Sequence, residues 1–201
     1  MKYANIVVLD IGGVCCHLNF GPLKKLVDSH LCDDTNNISS DLFSLSHALE
    51  CGEIETQDFF FKLFEVFGGK IPLRELNFVW NSIIGEEISG MPEIVDEIKN
   101  AGMDVVLLSD TSKVHMKIIK KNFSIIKKIT GYVTSYQVGC RKPTPAMYHV
   151  LEEKFCKGKK PFLYTDDKAE NLLGAEKCGW RTHHFKSPDC FIREFRKLIA
   201  E

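Results

Sequence analysis

The run Ile6-Val7-Val8-Leu9, closed by Asp10 and followed after Ile11 by Gly12-Gly13, narrows the folds open to this chain more than any other stretch. Four apolar, mostly β-branched residues without polar alternation describe a short strand buried on both faces, as in the middle of a parallel sheet. Asp10 puts a carboxylate at the C-terminal tip of that strand, where open α/β sheets bind their ligands. The glycines let the backbone turn sharply and approach whatever Asp10 touches. Asp and Gly are also ordinary turn residues. By itself the stretch leaves a site and a plain strand-ending turn both open.

The rest of the chain supplies the sheet. From residue 90 onward strand and helix patterns alternate: a helix over Met91–Ala101, a buried strand Val105–Leu108 ending at Ser109-Asp110-Thr111, and a helix over Lys113–Lys121. A strand over Gly131–Thr134, a helix over Pro143–Lys154 and a strand Pro161–Thr165 ending at Asp166-Asp167 follow. The pattern closes with a helix Ala169–Cys178 stopped by Gly179, a strand Arg181–Phe185 and a helix Phe191–Ala200. Such alternation predicts a parallel, helix-covered sheet. Residues 20–85 read differently. Helical stripes over Phe20–Leu31, Ser40–Leu49, Thr56–Phe67 and Pro72–Ile84 follow one another with no strand between, as in a small bundle, and a polar break over 33–37 separates the first two. A first strand at residues 5–9 in a sheet completed after residue 100 makes the bundle an insertion. The expected organisation is an α/β core, a Rossmann-like parallel sheet, from residues 1–17 and 88–201, with a helical domain over 18–87 inserted into it.

Composition removes several function classes. A chain of 201 residues with 44% hydrophobic and 26% charged residues is ordinary for a soluble globular protein. A formal net charge of −1 gives no support to nucleic-acid or anionic-membrane binding. No apolar run approaches the ~18 residues needed to span a bilayer, and the N-terminal run lacks the form of a signal peptide. The eight cysteines form no C-x-x-C pair, so they carry no zinc or thioredoxin-like spacing. They read as reduced, mostly buried residues of a cytoplasmic protein, a monomer or homodimer without nucleic-acid or membrane partners.

Three strands therefore end alike, at Asp10, at Ser109-Asp110-Thr111 and at Asp166-Asp167. If adjacent and parallel, they bring these groups to one crevice. Carboxylates gathered there repel one another and call for a cation among them. An oxygen-rich cluster suits Mg²⁺, and Arg141-Lys142-Pro143, just before a helix, offers a fixed positive charge. Taken singly, a lysine is usually solvated, and Asp166-Asp167 also suits a helix start with an acidic first turn.

With these residues in view, the chain resembles the haloacid dehalogenase (HAD) superfamily over nearly its whole length. Asp10, Ser109, Lys142 and Asp166-Asp167 stand in the order of its four motifs, and the helical insert between the first two resembles a type 1 cap. Finer likenesses, Glu50-Cys51-Gly52-Glu53-Ile54 followed by Phe59, and Leu108-Ser109-Asp110-Thr111-Ser112 with His115, resemble a branch that includes bacterial α-glucose-1-phosphate phosphatases. The resemblance implies a Mg²⁺-dependent phosphatase acting on a small phosphorylated metabolite, a sugar phosphate foremost, through a phosphoaspartyl intermediate on Asp10. It implies metal ligation by Asp10, the Gly12 carbonyl and Asp167, with Asp166 direct or through water. Ser109 and the Asp110 amide would hold phosphate oxygens, and Lys142 would neutralise charge on nucleophile and phosphate.

Two departures stand out. Gly12 occupies the position where most phosphatases of the superfamily carry a second Asp, which serves as acid and base. Asp110 stands where the branch usually has Asn. His17, at the entry to the insert, is the nearest titratable substitute for the missing acid. The departures keep two alternatives in play: 2-haloacid dehalogenase chemistry, whose halide leaves without a proton, and a weakly active or inactive domain that serves as a binding module.

Overall fold

The computed structural model describes residues 3–30 and 35–200 of the chain. Its centre is a five-stranded, all-parallel sheet in the order β5-β4-β1-β6-β7. The strands are β1 (Tyr3–Leu9), β4 (Asp104–Ser109), β5 (Gly131–Thr134), β6 (Lys160–Asp166) and β7 (Thr182–His184). The N-terminal strand lies in the middle, with Leu9 level with Leu107 of β4 on one side and Thr165 of β6 on the other. Helices α5 (Met91–Asn100), α6 (Lys113–Asn122) and α10 (Pro188–Ala200) cover one face; α8 (Pro145–Phe155) and α9 (Ala169–Lys177) cover the other. Alternation along β1 feeds both layers. Val7 and Leu9 pack with Met91, Met116 and Phe191, whereas Ile6 and Val8 pack with Met147, Leu151 and Leu172. That two-sided burial is why the strand reads as a continuous apolar run.

Residues between β1 and α5 form the helical insertion. Its helices are α1 (Gly21–His30), α2 (Thr35–Glu50), α3 (Thr56–Val66) and α4 (Leu73–Asn81). They enclose a hydrophobic cluster of their own, centred on Phe59, Leu63, Leu76 and Trp80, with Phe59 and Trp80 rings 4.5 Å apart. Two short strands, β2 (Cys16–Leu18) and β3 (Ile84–Glu87), pair antiparallel and carry the chain out of and back into the core. Both expected domain boundaries, 17/18 and 87/88, fall on or beside this ribbon.

Several local expectations need correction. The ribbon is absent from the sequence reading, which extends the fourth helix to Ile84; the helix ends at Asn81, and Ile84 instead pairs with Leu18. Strands of three and four residues carry too little periodicity to be seen. Residues 33 and 34 of the expected polar break, and Leu31 at the end of the first expected helix, lie outside the described residues, and α2 already begins at Thr35, since Thr and Asn suit a helix start as well as a turn. A single helical turn, α7 (Ser135–Val138), also went unanticipated. The cysteines among the described residues are free thiols, and no helix among them is long and apolar enough to cross a membrane.

Candidate active site

Because β4, β1 and β6 are neighbours, their C-terminal ends bring Asp10, Ser109 and Asp166 side by side. Lys142, in the loop before α8, reaches into the same place. Its ammonium, fully buried, donates to Asp10 Oδ1 at 2.9 Å, to Asp166 Oδ2 at 2.7 Å and to the Leu108 carbonyl at 3.0 Å. An ammonium has three donors, and all three are used. The loop is seated by close packing on α9: a Cβ at Gly174 would come within 2.6 Å of Pro143 and 2.8 Å of the Tyr148 hydroxyl. Burial pushes the Lys142 pKa down, but Asp10, Asp166 and Asp110 outweigh it, so the net shift is upward and the group stays charged.

The carboxylates differ in what surrounds them. Asp166 is fully buried and saturated with donors: Lys142, the Tyr164 hydroxyl, the Lys168 amide and the Asn171 side chain. Burial alone would raise its pKa; these donors, Lys142 first, bring it below the ordinary range. Asp10 Oδ1 accepts from the Ile11 amide at 2.7 Å and from Lys142, and no donor among the described residues bonds Oδ2. Burial, with Asp166 adding to it against the pull of Lys142, lifts Asp10 to about 7. Burial and Asp166 also raise Asp167. Asp167 Oδ1 is buried with no hydrogen-bond partner among the described residues.

Oxygens of Asp10, Asp166 and Asp167 lie within 4.8 Å of one another. Three carboxylates against one ammonium leave negative charge uncompensated. The orphaned Asp167 oxygen belongs to this cluster, and Gly12, whose carbonyl accepts no backbone hydrogen bond among the described residues, lines the cavity beside it. This donor set fits a small divalent cation. Gly13 keeps the space open: its φ is +74°, and a Cβ there would fall 2.4 Å from Asp167 Oδ2.

A cavity of about 440 Å³ opens above these groups, between the strand tips and the insertion. Asp10, Gly12, Ser109, Asp110 and Lys142 line its floor. Among the described residues the Ser109 hydroxyl makes a single 3.5 Å contact, with the Asp110 carbonyl, and can turn to a ligand. Asp110, unfavourable beside an anion if it pointed at one, is tied aside: Oδ1 accepts from the Lys142 amide at 2.9 Å and Oδ2 faces Arg141 at 3.6 Å. His17 does not join the site. It is exposed on β2 and does not line the cavity, whereas its neighbours Cys16 and Leu18 do. Strand alternation turns it to the opposite face.

Other participants were not anticipated as such. Tyr164 and Asn171 fix Asp166. Glu50, at the end of α2, lines the cavity and pairs with Arg141 at 3.2 Å, joining insertion to core. Burial pushes the Glu50 carboxyl up, against Arg141. His115 on α6 bonds through Nε2 to the Trp80 carbonyl at 3.1 Å and stacks on the Trp80 ring. The i, i+5 spacing of Asp166 and Asn171 across a helix start was the available signal for Asn171. Nothing in sequence spacing links Glu50 to Arg141.

No protein-family model matches the chain. Solved structures do resemble it. A HAD family enzyme from Bacteroides thetaiotaomicron is 22% identical, with a TM-score of 0.80 over 92% of this chain and 95% of that one. The wild-type form of that enzyme, in complex with magnesium and inorganic phosphate, is 21% identical over 90% of this chain and 94% of that one, with a TM-score of 0.76. A predicted HAD-like family hydrolase from Porphyromonas gingivalis is 20% identical, with a TM-score of 0.78 over the full length of both chains. L-2-haloacid dehalogenase from Xanthobacter autotrophicus, 14% identical, reaches 0.59 over 89% of this chain and 76% of that one. The fold is HAD-like.

Proposed function

We propose that the protein is a Mg²⁺-dependent phosphomonoesterase of the HAD type, with Asp10 as nucleophile and residues 18–87 as a cap over the site. The observation that carries this reading is the position of Asp10, at the tip of the central strand, sharing one buried lysine with Asp166 and keeping one oxygen free. That oxygen, Oδ2, forms the bond to phosphorus while the bond from phosphorus to the leaving oxygen breaks. Water then attacks the phosphoaspartate, releasing inorganic phosphate and restoring the carboxylate. Lys142 offsets the charge of Asp10, so that two anions can meet, and the Ser109 hydroxyl donates to a phosphate oxygen. Asp10, Asp167 and the Gly12 carbonyl, with Asp166 directly or through water, would hold Mg²⁺, which would supply further charge neutralisation. Support comes from the donor set itself and from the magnesium and phosphate bound by the Bacteroides enzyme of like fold.

Dehalogenase chemistry suits the lack of a free acid near Gly12, but it gives the Asp166-Asp167 cluster no task. The test is release of phosphate from a panel that includes acetyl phosphate and sugar phosphates, with and without Mg²⁺. Metal-dependent release that disappears in Asp10→Asn is the expected result. Full activity in excess chelator, or in the variant, refutes the assignment.

A further inference from the structure

The walls of the cavity describe the alcohol half of the substrate. Above the floor they are formed by Leu18, Phe20, Leu42, Phe43, Trp80 and Ile83. Three of these are large apolar side chains left open to solvent: Leu18 is 39% exposed, Phe20 55% and Phe43 66%. Apolar groups gathered around a concave site and left wet are what an apolar ligand covers. A sugar needs the opposite, free donors and acceptors, and the polar groups on these walls are mostly engaged. The Ser46 hydroxyl donates to the Phe43 carbonyl, Glu50 and Arg141 hold each other, and Asn171 is bound to Asp166. Among the described residues of the wall, the Ser39 and Lys168 side chains and the Trp80 Nε1 donor make no hydrogen bond, and Lys168 still feels the charges of Glu50 and Asp167.

Proton supply points the same way. At Gly12 the place of a side chain is taken by Leu18, whose Cδ1 would lie 3.0 Å from a Cβ there. His115 spends its Nε2 proton on Trp80. An alkoxide leaving without a proton is slow, whereas a phenolate, whose conjugate acid has a pKa of about 10 as in tyrosine, departs as a stable anion.

Resting on the phosphatase reading above, we propose that the substrate is the phosphate monoester of an aromatic alcohol, its ring seated between Phe20, Phe43 and Leu18 and its phosphate on the floor. Asp10 Oδ2 attacks phosphorus, and the bond from phosphorus to the aryl oxygen breaks with its electron pair on that oxygen. The phenolate takes its proton from solvent. Water hydrolyses the phosphoaspartate, and the carboxylate leaves without needing an acid.

Steady-state kinetics on 2-naphthyl phosphate, 2-phenylethyl phosphate, glucose 6-phosphate and acetyl phosphate separate the two halves of the proposal. Both ring-bearing esters have KM values at least about tenfold below that of glucose 6-phosphate, about 1.4 kcal/mol. Of these two, the phenylethyl ester, with its alkyl leaving group, turns over about 10²–10⁴ times more slowly. Phe43→Ser, on an exposed helix face, raises KM for naphthyl phosphate relative to that for acetyl phosphate. If the enzyme hydrolyses acetyl phosphate but binds glucose 6-phosphate as tightly as naphthyl phosphate, the phosphatase reading stands and the aromatic substrate falls. Equal turnover of the two ring-bearing esters, with Glu50→Gln slowing the alkyl one, also overturns the proposal and makes Glu50 the acid. No release of phosphate from any of them, acetyl phosphate included, removes the phosphatase reading as well.

Discussion

Acid should weaken this protein through one histidine. His115 lies in the first turn of α6, buried beneath Trp80, with its ring hydrogen bond given to the Trp80 carbonyl. Burial makes the imidazolium unfavourable and the Trp80 carbonyl only partly offsets this, so the pKa falls from 6.5 to about 4. The positive end of the helix dipole acts in the same direction. Between those values the unfolded chain binds a proton that the folded chain refuses, so stability rises with pH across the window. The contribution is complete above about pH 6.5 and is lost as pH falls toward 4. Near pH 5 the shift corresponds to about 2 kcal/mol, a sizeable part of the stability of a single domain. Urea denaturation of wild type and His115→Gln at neutral pH and near pH 5 measures it. The carboxylates of the site titrate in both proteins and cancel in the comparison. Wild type should lose about 2 kcal/mol more than the variant on acidification. Equal losses, or a His115 titration midpoint near 6.5 by NMR, would refute the reasoning.

Lys142→Met removes the sole ammonium between two buried carboxylates and should cost about 3–5 kcal/mol in denaturant unfolding, because the partners stay buried and unpaired. Mg²⁺ should raise the melting temperature of wild type, and much less that of Asp167→Asn, in calorimetry; equal shifts would exclude Asp167 as a ligand. Gly13→Ala should weaken Mg²⁺ binding and cost about 1–3 kcal/mol, since a side chain would have to occupy a left-handed conformation against Asp167.

The parallel core and the position of its acidic tip were legible in the sequence for a local reason. Strands buried on both faces are apolar runs, and each here ends abruptly in charge: Leu9 into Asp10, Leu108 into Ser109-Asp110, Thr165 into Asp166-Asp167. Helices with long amphipathic stripes were legible too. The ribbon of Cys16–Leu18 with Ile84–Glu87 was not, because its strands exist only through each other. Nor was the division of labour among the acids. Asp166 is saturated and Asp167 keeps an orphaned oxygen because Tyr164, Asn171 and the Lys168 amide converge on the first and not on the second. His17 stands close to Asp10 along the chain, yet strand alternation turns it away. Glu50 and Arg141, far apart along the chain, meet at the cavity wall. Sequence spacing determines which groups can share a strand tip or a helix face. Which atoms are left free to act depends on contacts between distant segments, and only the tertiary structure decides those.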